Sequence, residues 1–312
     1  METIREGGFL YFGEYLLREF LPRRFLNEVS VPIFVIMSPV GIFDSGIGGL
    51  TVLREIRNAL PQYDYMYLGD NARAPYGNRS FETVYAYTKE CVKWMMDKGC
   101  PLIILACNTA SAKALRTIQQ KDLPRWNPEQ RVLGVIRPTA EVIGNYSGTG
   151  NIGILATRGT VQSESYLIEI RKFFPGIRIT QHACPLWVPI IENNEAHSPG
   201  AFYFIEKDVR ELLAKDEKTD TILLGCTHYP LIKDILQKII SPEIKIIGQG
   251  EIVAESLKQY LQRHPEIETK CSRSGKVDFF TTDDPSDFNH HSELFFGETV
   301  QSVHVSVESS HK

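Results

Sequence analysis

Several features that mark whole classes of protein are missing from this 312-residue sequence. A formal net charge of -4 and a pI of about 6.1 indicate no basic surface for nucleic acid or anionic lipid. No apolar run approaches the roughly 18 residues that a membrane-spanning helix needs. The six cysteines show neither CxxC pairs nor the spacing of a small disulfide scaffold. We therefore expect a globular protein of a reducing cytoplasm, without nucleic-acid or membrane partners.

The usual nucleotide-binding sequences are also missing. A GxGxxG pattern starting at Gly46 fails because Thr51 stands at its last position, and no GxxxxGK[ST] occurs. Asp44 and Ser45 instead precede a Gly-rich turn at a helix start, where backbone N–H groups can hold a carboxylate. Asp44 is negative, so it suits a substrate ammonium group or the proton transfer of a thiol. The turn therefore predicts binding of a small charged molecule.

Residues 1–36 differ from the rest of the chain. They mix aromatic residues and leucine with charges, and Pro22 interrupts any helix. Glu2 and Glu6 argue against a targeting segment. The regular pattern begins after Met37, so we expect residues 1–37 to be an N-terminal extension and translation of the native protein to start at Met37. The intact mass of the native protein would test this hypothesis.

From Val40 onward, short apolar strands alternate with amphipathic helical segments. Such alternation predicts an α/β fold with a doubly wound, mainly parallel sheet. A second copy of the pattern begins near Val132, which suggests two similar lobes. We expect lobe one to comprise residues 38–131 plus 248–312 and lobe two residues 132–247. We expect a pseudo-twofold axis to relate them, with the active site in the cleft between them.

Two of the apolar runs end in the same way, in a small residue, a cysteine and then hydroxyl or amide side chains. The cysteines are Cys107 and Cys226. Asn108 or Thr109 can cap the helix after the first, and Pro230 suits the start of the helix after the second. Ligands bind at the carboxyl ends of parallel strands, and a helix N-terminus lowers the pKa of a thiol. Both cysteines are therefore candidate catalytic residues.

Two opposed thiols can invert a stereocentre without a cofactor. A thiolate on one face of a carbon acid removes a proton, and a thiol on the other face returns one. The alternative for any cysteine is simple burial, which we expect for Cys91, Cys100 and Cys271. A metal site using Cys184, Cys226 and His228 is another alternative, although structural zinc spacing is absent. A disulfide between the two thiols does not suit a reducing compartment.

Other acid–base candidates are Asp70, Glu192 and His228, each of which could equally be a cap or a satisfied polar residue. Tyr76, after Pro75, could line a substrate pocket or pack in the core.

Five motifs in order carry a resemblance to a known family. They are GIFDSGIGGL from Gly41, GDNARAPYG from Gly69, ACNTA from Ala106, CPLWVPIIE from Cys184 and GCTHYP from Gly225. On these motifs the chain resembles the cofactor-independent glutamate racemases of the aspartate/glutamate racemase superfamily. The resemblance runs from about Ser38 to Gly297.

The resemblance implies an isomerase that interconverts L- and D-glutamate without a cofactor or a metal. It implies that Cys107 deprotonates D-glutamate and that Cys226 deprotonates L-glutamate. It also implies a cytoplasmic enzyme, a homodimer, that provides D-glutamate for peptidoglycan. The positions that match substrate-holding residues are Asp44, Ser45, Tyr76, Gly77, Cys107, Asn108, Thr109, Thr227 and His228. Those that match residues tuning the thiols are Asp44, Asp70, Glu192 and His228.

Two other functions stay open on the sequence. One is a sister racemase acting on aspartate or another small acid, which would share both thiols. The other is a non-catalytic protein that binds a small dicarboxylate in the same cleft. A substrate panel separates the first from a glutamate racemase, and α-proton exchange separates the second.

Overall fold

Ten strands form two parallel sheets in a computed structural model that describes residues 37–307. The expectations for residues 1–36 lie outside this range. The strands are β1 Val40–Asp44, β2 Tyr65–Gly69, β3 Leu102–Leu105, β4 Arg131–Gly134, β5 Asn151–Ala156, β6 Arg178–Ala183, β7 Thr221–Gly225, β8 Lys245–Ile247, β9 Val277–Thr281 and β10 Ser302–His304.

The two sheets repeat one strand order. The first has the order β10-β9-β2-β1-β3-β4 and the second β6-β5-β7-β8. Four strands of the first sheet, β2-β1-β3-β4, therefore correspond to the whole of the second, with β1 matching β5 and β3 matching β7. All strand pairs are parallel, and β9 joins the tail of the chain to β2. The predicted fold class of two similar parallel α/β sheets is confirmed.

Helices connect the strands and cover the sheets. They are α1 Leu50–Ala59, α2 Phe81–Asp97, α3 Asn108–Lys113, α4 Leu115–Thr117, α5 Leu123–Trp126, α6 Ile136–Val142, α7 Arg158–Gln162, α8 Ser165–Phe173, α9 Trp187–Glu192, α10 Pro199–Leu213, α11 Lys233–Ile239, α12 Gly250–Arg263, α13 Pro265–Glu268 and α14 Pro285–Phe296. A π turn, Ile118–Asp122, separates α4 from α5, and 3-10 turns occupy Asn71–Arg73, Tyr76–Asn78, Ile143–Tyr146 and Tyr229–Ile232.

Local sequence explains where several helices begin and end. Ser80 and Ser198 cap α2 and α10, each accepting a backbone N–H three residues later. Asp284 caps α14, which has Pro285 at its first position. Gly297, at φ 92°, ends α14 in the left-handed conformation that glycine adopts at little cost.

The central strands of both sheets are buried on both faces. Every residue of β1, β3 and β7 is buried, as expected for strands covered by helices on two sides. Helix α1 buries Leu50, Leu53 and Ile56, which share one helical face, against this layer.

Within residues 37–307, no helix has the length and apolar character that a membrane span requires.

Candidate active site

The candidate site lies where turns after β1, β3 and β7 come together. The Gly-rich turn after β1 meets the turn after β7 so closely that a Cβ on Gly48 would lie 2.4 Å from the ring of His228. Thr51 Oγ1 also donates to the carbonyl of Thr227 at 2.8 Å. Glycine is therefore required at position 48 for the two turns to approach each other.

Cys107 is the N-cap of α3. Its sulfur accepts the backbone N–H of Ala110 at 3.4 Å, and its S–H donates to Ser45 Oγ at 3.3 Å. The prediction that Asn108 or Thr109 caps this helix is therefore wrong. The amide of Asn108 is instead hydrogen-bonded to Gln249 and Tyr166, which leaves the thiol as the cap.

The expected lowering of the Cys107 pKa by the helix N-terminus is also not found. Burial and the negative charge of Asp44 raise the pKa of the Cys107 thiol to about 12, although Ser45 and the Ala110 N–H act in the opposite direction. A charge on Cys226 raises it further, so the two thiols are electrostatically coupled. Cys107 is therefore a neutral thiol at neutral pH when no ligand is bound.

Cys226 has a different partner, an imidazole. Its sulfur lies 3.9 Å from Nδ1 of His228, whose Nε2 lies 2.8 Å from Oε1 of Glu192. Burial lowers the pKa of His228, but Cys226 and Glu192 together raise it to about 10. His228 is consequently a buried imidazolium, held between a sulfur and a carboxylate.

Asp44 is buried between the two thiol-bearing turns. Its Oδ2 accepts the N–H of Gly46 at 3.0 Å, whereas Oδ1 has no hydrogen-bond partner among residues 37–307. Burial raises the Asp44 pKa, and the positive charge of His228 acts against that rise. An unpartnered buried carboxylate oxygen is unusual, and it is a ready acceptor for a cationic ligand group.

Three predicted substrate-binding residues adjoin this centre. Ser45 accepts from Cys107, and Thr227 Oγ1 lies 3.3 Å from His228 Nδ1. Thr109 Oγ1 lies 2.9 Å from Oγ1 of Thr157, on the turn after β5. Ser45 thus contacts Cys107 directly, Thr109 lies two residues after Cys107, and Thr227 directly follows Cys226.

The other predicted residues have contacts of a different kind. Tyr76 is buried and its hydroxyl donates to Asp70 rather than pointing to open solvent. Asp70 also accepts from Arg73 Nε at 2.7 Å and from Thr282 Oγ1 at 2.8 Å. Gly77 abuts Thr157, since a Cβ there would lie 3.1 Å from the Cβ of that threonine. Asp70 thus supports the loop that carries Tyr76 and Gly77.

Two threonines of the second sheet were missed as candidates. Thr157 caps α7 by accepting from the N–H of Thr160, and both hydroxyls lie within 3.4 Å of Thr109. The signal for them was available, because they follow β5, the counterpart of β1. Their turn is therefore the counterpart of the Asp44 turn.

Within residues 37–307, one group of three potential metal ligands has its atoms within 4.8 Å of one another: His182, Cys184 and Asp208. Cys226 and His228 do not belong to it. His182 Nε2 lies 3.1 Å from Asp208, and its Nδ1 lies 3.3 Å from the ammonium of Lys215. A metal on Nε2 would place the ring proton against that ammonium, so these contacts favour a hydrogen-bonded cluster.

Comparisons with known proteins show the family to which the chain is similar. Residues 48–257 match the family model of Asp/Glu/hydantoin racemases. A glutamate racemase from Geobacter metallireducens is 38% identical over 277 residues, covering 86% of this chain and 97% of that protein. The crystal structure of a glutamate racemase isoform from Bacillus anthracis superposes with a TM-score of 0.79 and 32% identity, covering 87% of this chain and 98% of that one. A glutamate racemase from Francisella tularensis, in complex with D-glutamate, gives a TM-score of 0.76 at 31% identity, covering 88% and 99%.

Proposed function

This chain belongs to the Asp/Glu/hydantoin racemase family and is an amino-acid racemase, and we propose that it interconverts L- and D-glutamate by proton transfer between two thiols. The observation that carries the proposal is the pairing of Cys107 and Cys226 at equivalent strand ends of two equivalent sheets. Equivalent positions supply two bases to opposite faces of one carbon, as an inversion requires.

The charges around the two thiols suit the reaction of L-glutamate. The His228 imidazolium attracts a thiolate on Cys226, which takes the proton from Cα of L-glutamate. The neutral Cys107 thiol then gives its proton to the opposite face, yielding D-glutamate and leaving Cys107 as the thiolate. Reaction of D-glutamate runs through the same steps in reverse, so no proton is gained or lost overall.

Asp44 is proposed to receive the substrate ammonium group on its unpartnered Oδ1. That contact would compensate the negative charge that raises the pKa of Cys107. Substrate binding would therefore lower the pKa of the Cys107 thiol and ease its ionisation. Ser45, Thr109, Thr227 and the Tyr76–Gly77 turn are proposed to hold the carboxylates.

The remaining expectations are part of the same proposal. The expected lobe boundary at residue 132 would cut β4, Arg131–Gly134, which pairs with β3 in the first sheet. We therefore assign the lobes to residues 38–134 plus 248–307 and to residues 135–247, with the substrate between them. The product would supply D-glutamate for peptidoglycan, and the enzyme would act as a homodimer. Six buried free cysteines, two of them needed as thiols, suit the reducing cytoplasm.

The test is incubation of the protein with L-glutamate in heavy water. The proposal predicts loss of optical rotation together with deuterium at Cα of the D-glutamate formed. A parallel panel with aspartate and other small acids tests the substrate assignment. Binding of glutamate, measured as thermal stabilisation, without any α-proton exchange would show a binding protein and contradict the proposal.

A further inference from the structure

Behind the site lies a closed ring of three buried side chains, Asn108, Gln249 and Tyr166. Asn108 Nδ2 donates to Gln249 Oε1 at 2.7 Å, Gln249 Nε2 donates to the Tyr166 hydroxyl at 2.6 Å, and that hydroxyl donates to Asn108 Oδ1 at 2.6 Å. All three are at most 4% exposed. Hydrogen bonds that run in one direction around a ring strengthen one another.

The ring joins parts of the chain that are far apart in sequence. Asn108 begins α3, directly after Cys107, and Tyr166 lies in α8, beside the second sheet. Gln249 precedes α12 and also donates to Thr139 Oγ1 of α6 at 2.9 Å. Every polar group of the Gln249 amide is thus engaged, so its orientation is fixed.

The same tyrosine reaches the turn that carries the second thiol. A Cβ built on Gly225, the residue before Cys226, would lie 3.3 Å from Cε2 of Tyr166. One end of Tyr166 therefore holds the residue after Cys107, and its ring edge packs against the residue before Cys226. A second bond, from Ser165 Oγ to the carbonyl of Ala112, ties the same two helices at 3.3 Å.

We propose that Tyr166 and Gln249 are positioning residues that fix the separation and orientation of the two catalytic thiols. The inference rests on the proposed function, since a fixed separation matters only if both thiols reach one Cα. It also gives the Asn108 side chain a supporting role, through the one hydrogen bond that each of its two polar atoms makes in the ring. Misplacing reacting groups by about 1 Å can lower a rate about 100-fold.

The test is Tyr166→Phe, which removes one oxygen and two hydrogen bonds but keeps the ring that packs on Gly225. The expected result is a kcat up to about 100-fold lower in both directions, with KM changed only a few-fold. The ratio of deuterium in the recovered starting enantiomer to deuterium in the product should rise. The reason is that the intermediate deprotonated at Cα has a longer lifetime before a thiol returns a proton to it. A purely structural role would lower Tm without changing this ratio.

Tyr65→Phe is the matched control, because Tyr65 is also buried and donates one hydrogen bond, to the Leu60 carbonyl at 2.7 Å. Gln249→Glu, of nearly equal shape, provides a second variant should Tyr166→Phe fold poorly. Members of one ring should show non-additive effects on kcat in the double variant.

A wild-type kcat and wild-type exchange ratio in both folded single variants would overturn this inference and leave the proposed function intact. Inversion that persists without the thiols of Cys107 and Cys226 would overturn the proposed function, and this inference with it.

Discussion

The two thiols occupy equivalent strand ends but have unlike surroundings. Cys107 caps a helix, donates to Ser45 and lies in the field of the buried Asp44 carboxylate. Cys226 lies beside a buried imidazolium that Glu192 holds from its other side. Two similar turns thus present their thiols to different neighbours, a buried carboxylate at Cys107 and an imidazolium at Cys226.

Unlike neighbours suit the proposed transfer of a proton between two thiols. Two thiolates would repel each other, and two thiols would leave no base, whereas one of each is ready to take a proton and to give one. In the structure the Asp44 carboxylate disfavours ionisation of Cys107, and the His228 imidazolium lies beside the Cys226 sulfur. Variants of these two turns therefore test what each neighbour contributes.

Removing either thiol should have the largest effect. Cys107→Ala and Cys226→Ala should each lower the rate of inversion by about 10⁴-fold, the upper end of what a general base contributes. The fold should be kept, because only one sulfur is lost in each case. Polarimetry measures the rate, and Cys271→Ala, at a buried thiol bonded to the Ile267 carbonyl, is the control. Near wild-type turnover in either variant would contradict the mechanism.

His228→Asn should have the next largest effect, about 100-fold on kcat/KM. The two enantiomers have equal free energy, so kcat/KM should fall equally in both directions. The raised pKa of His228 means that its positive charge is present below about pH 10 and is lost as the pH rises through that value. Wild-type activity should therefore fall above about pH 10, and the variant should lack this loss.

His264→Asn is the matched control for that pH profile, because His264 also lies near a carboxylate, Glu266 at 3.1 Å, but is exposed. A His228→Asn profile identical to the wild type would show that the imidazolium does not support Cys226.

Ser45→Ala should have the smallest effect of the three. The Ser45 hydroxyl lowers the Cys107 pKa, so its loss should raise that pKa further and slow the step in which Cys107 ionises. One hydrogen bond of about 0.5–1.5 kcal/mol corresponds to a roughly 2- to 13-fold lower kcat for L-glutamate, the direction in which Cys107 gives up its proton. Ser147→Ala, which removes a hydroxyl bonded to Asp220, should leave kcat unchanged. An unchanged kcat in Ser45→Ala would show that the Ser45 hydroxyl does not affect the ionisation of Cys107.

Local patterns were enough to predict the fold and to single out Cys107 and Cys226. Each strand, its cysteine and the following helix are consecutive in sequence, and the pattern occurs twice. The N-cap of α3 was predicted wrongly because the amide of Asn108 is bound by Gln249, 141 residues away. The pKa of Cys107 was also beyond local reasoning, since it depends on burial and on Asp44, which comes from another strand. Contacts between distant segments decide these details.

The central claim, that each thiol serves one face, is tested most directly by α-proton exchange in the single-thiol variants. Cys107→Ala and Cys226→Ala would each be incubated in heavy water with L-glutamate and, separately, with D-glutamate, and deuterium at Cα followed by NMR. The account predicts that Cys107→Ala exchanges only the L enantiomer and Cys226→Ala only the D enantiomer, with inversion about 10⁴-fold slower than in the wild type in both. Exchange of both enantiomers by one variant, or near wild-type inversion by either, would contradict it.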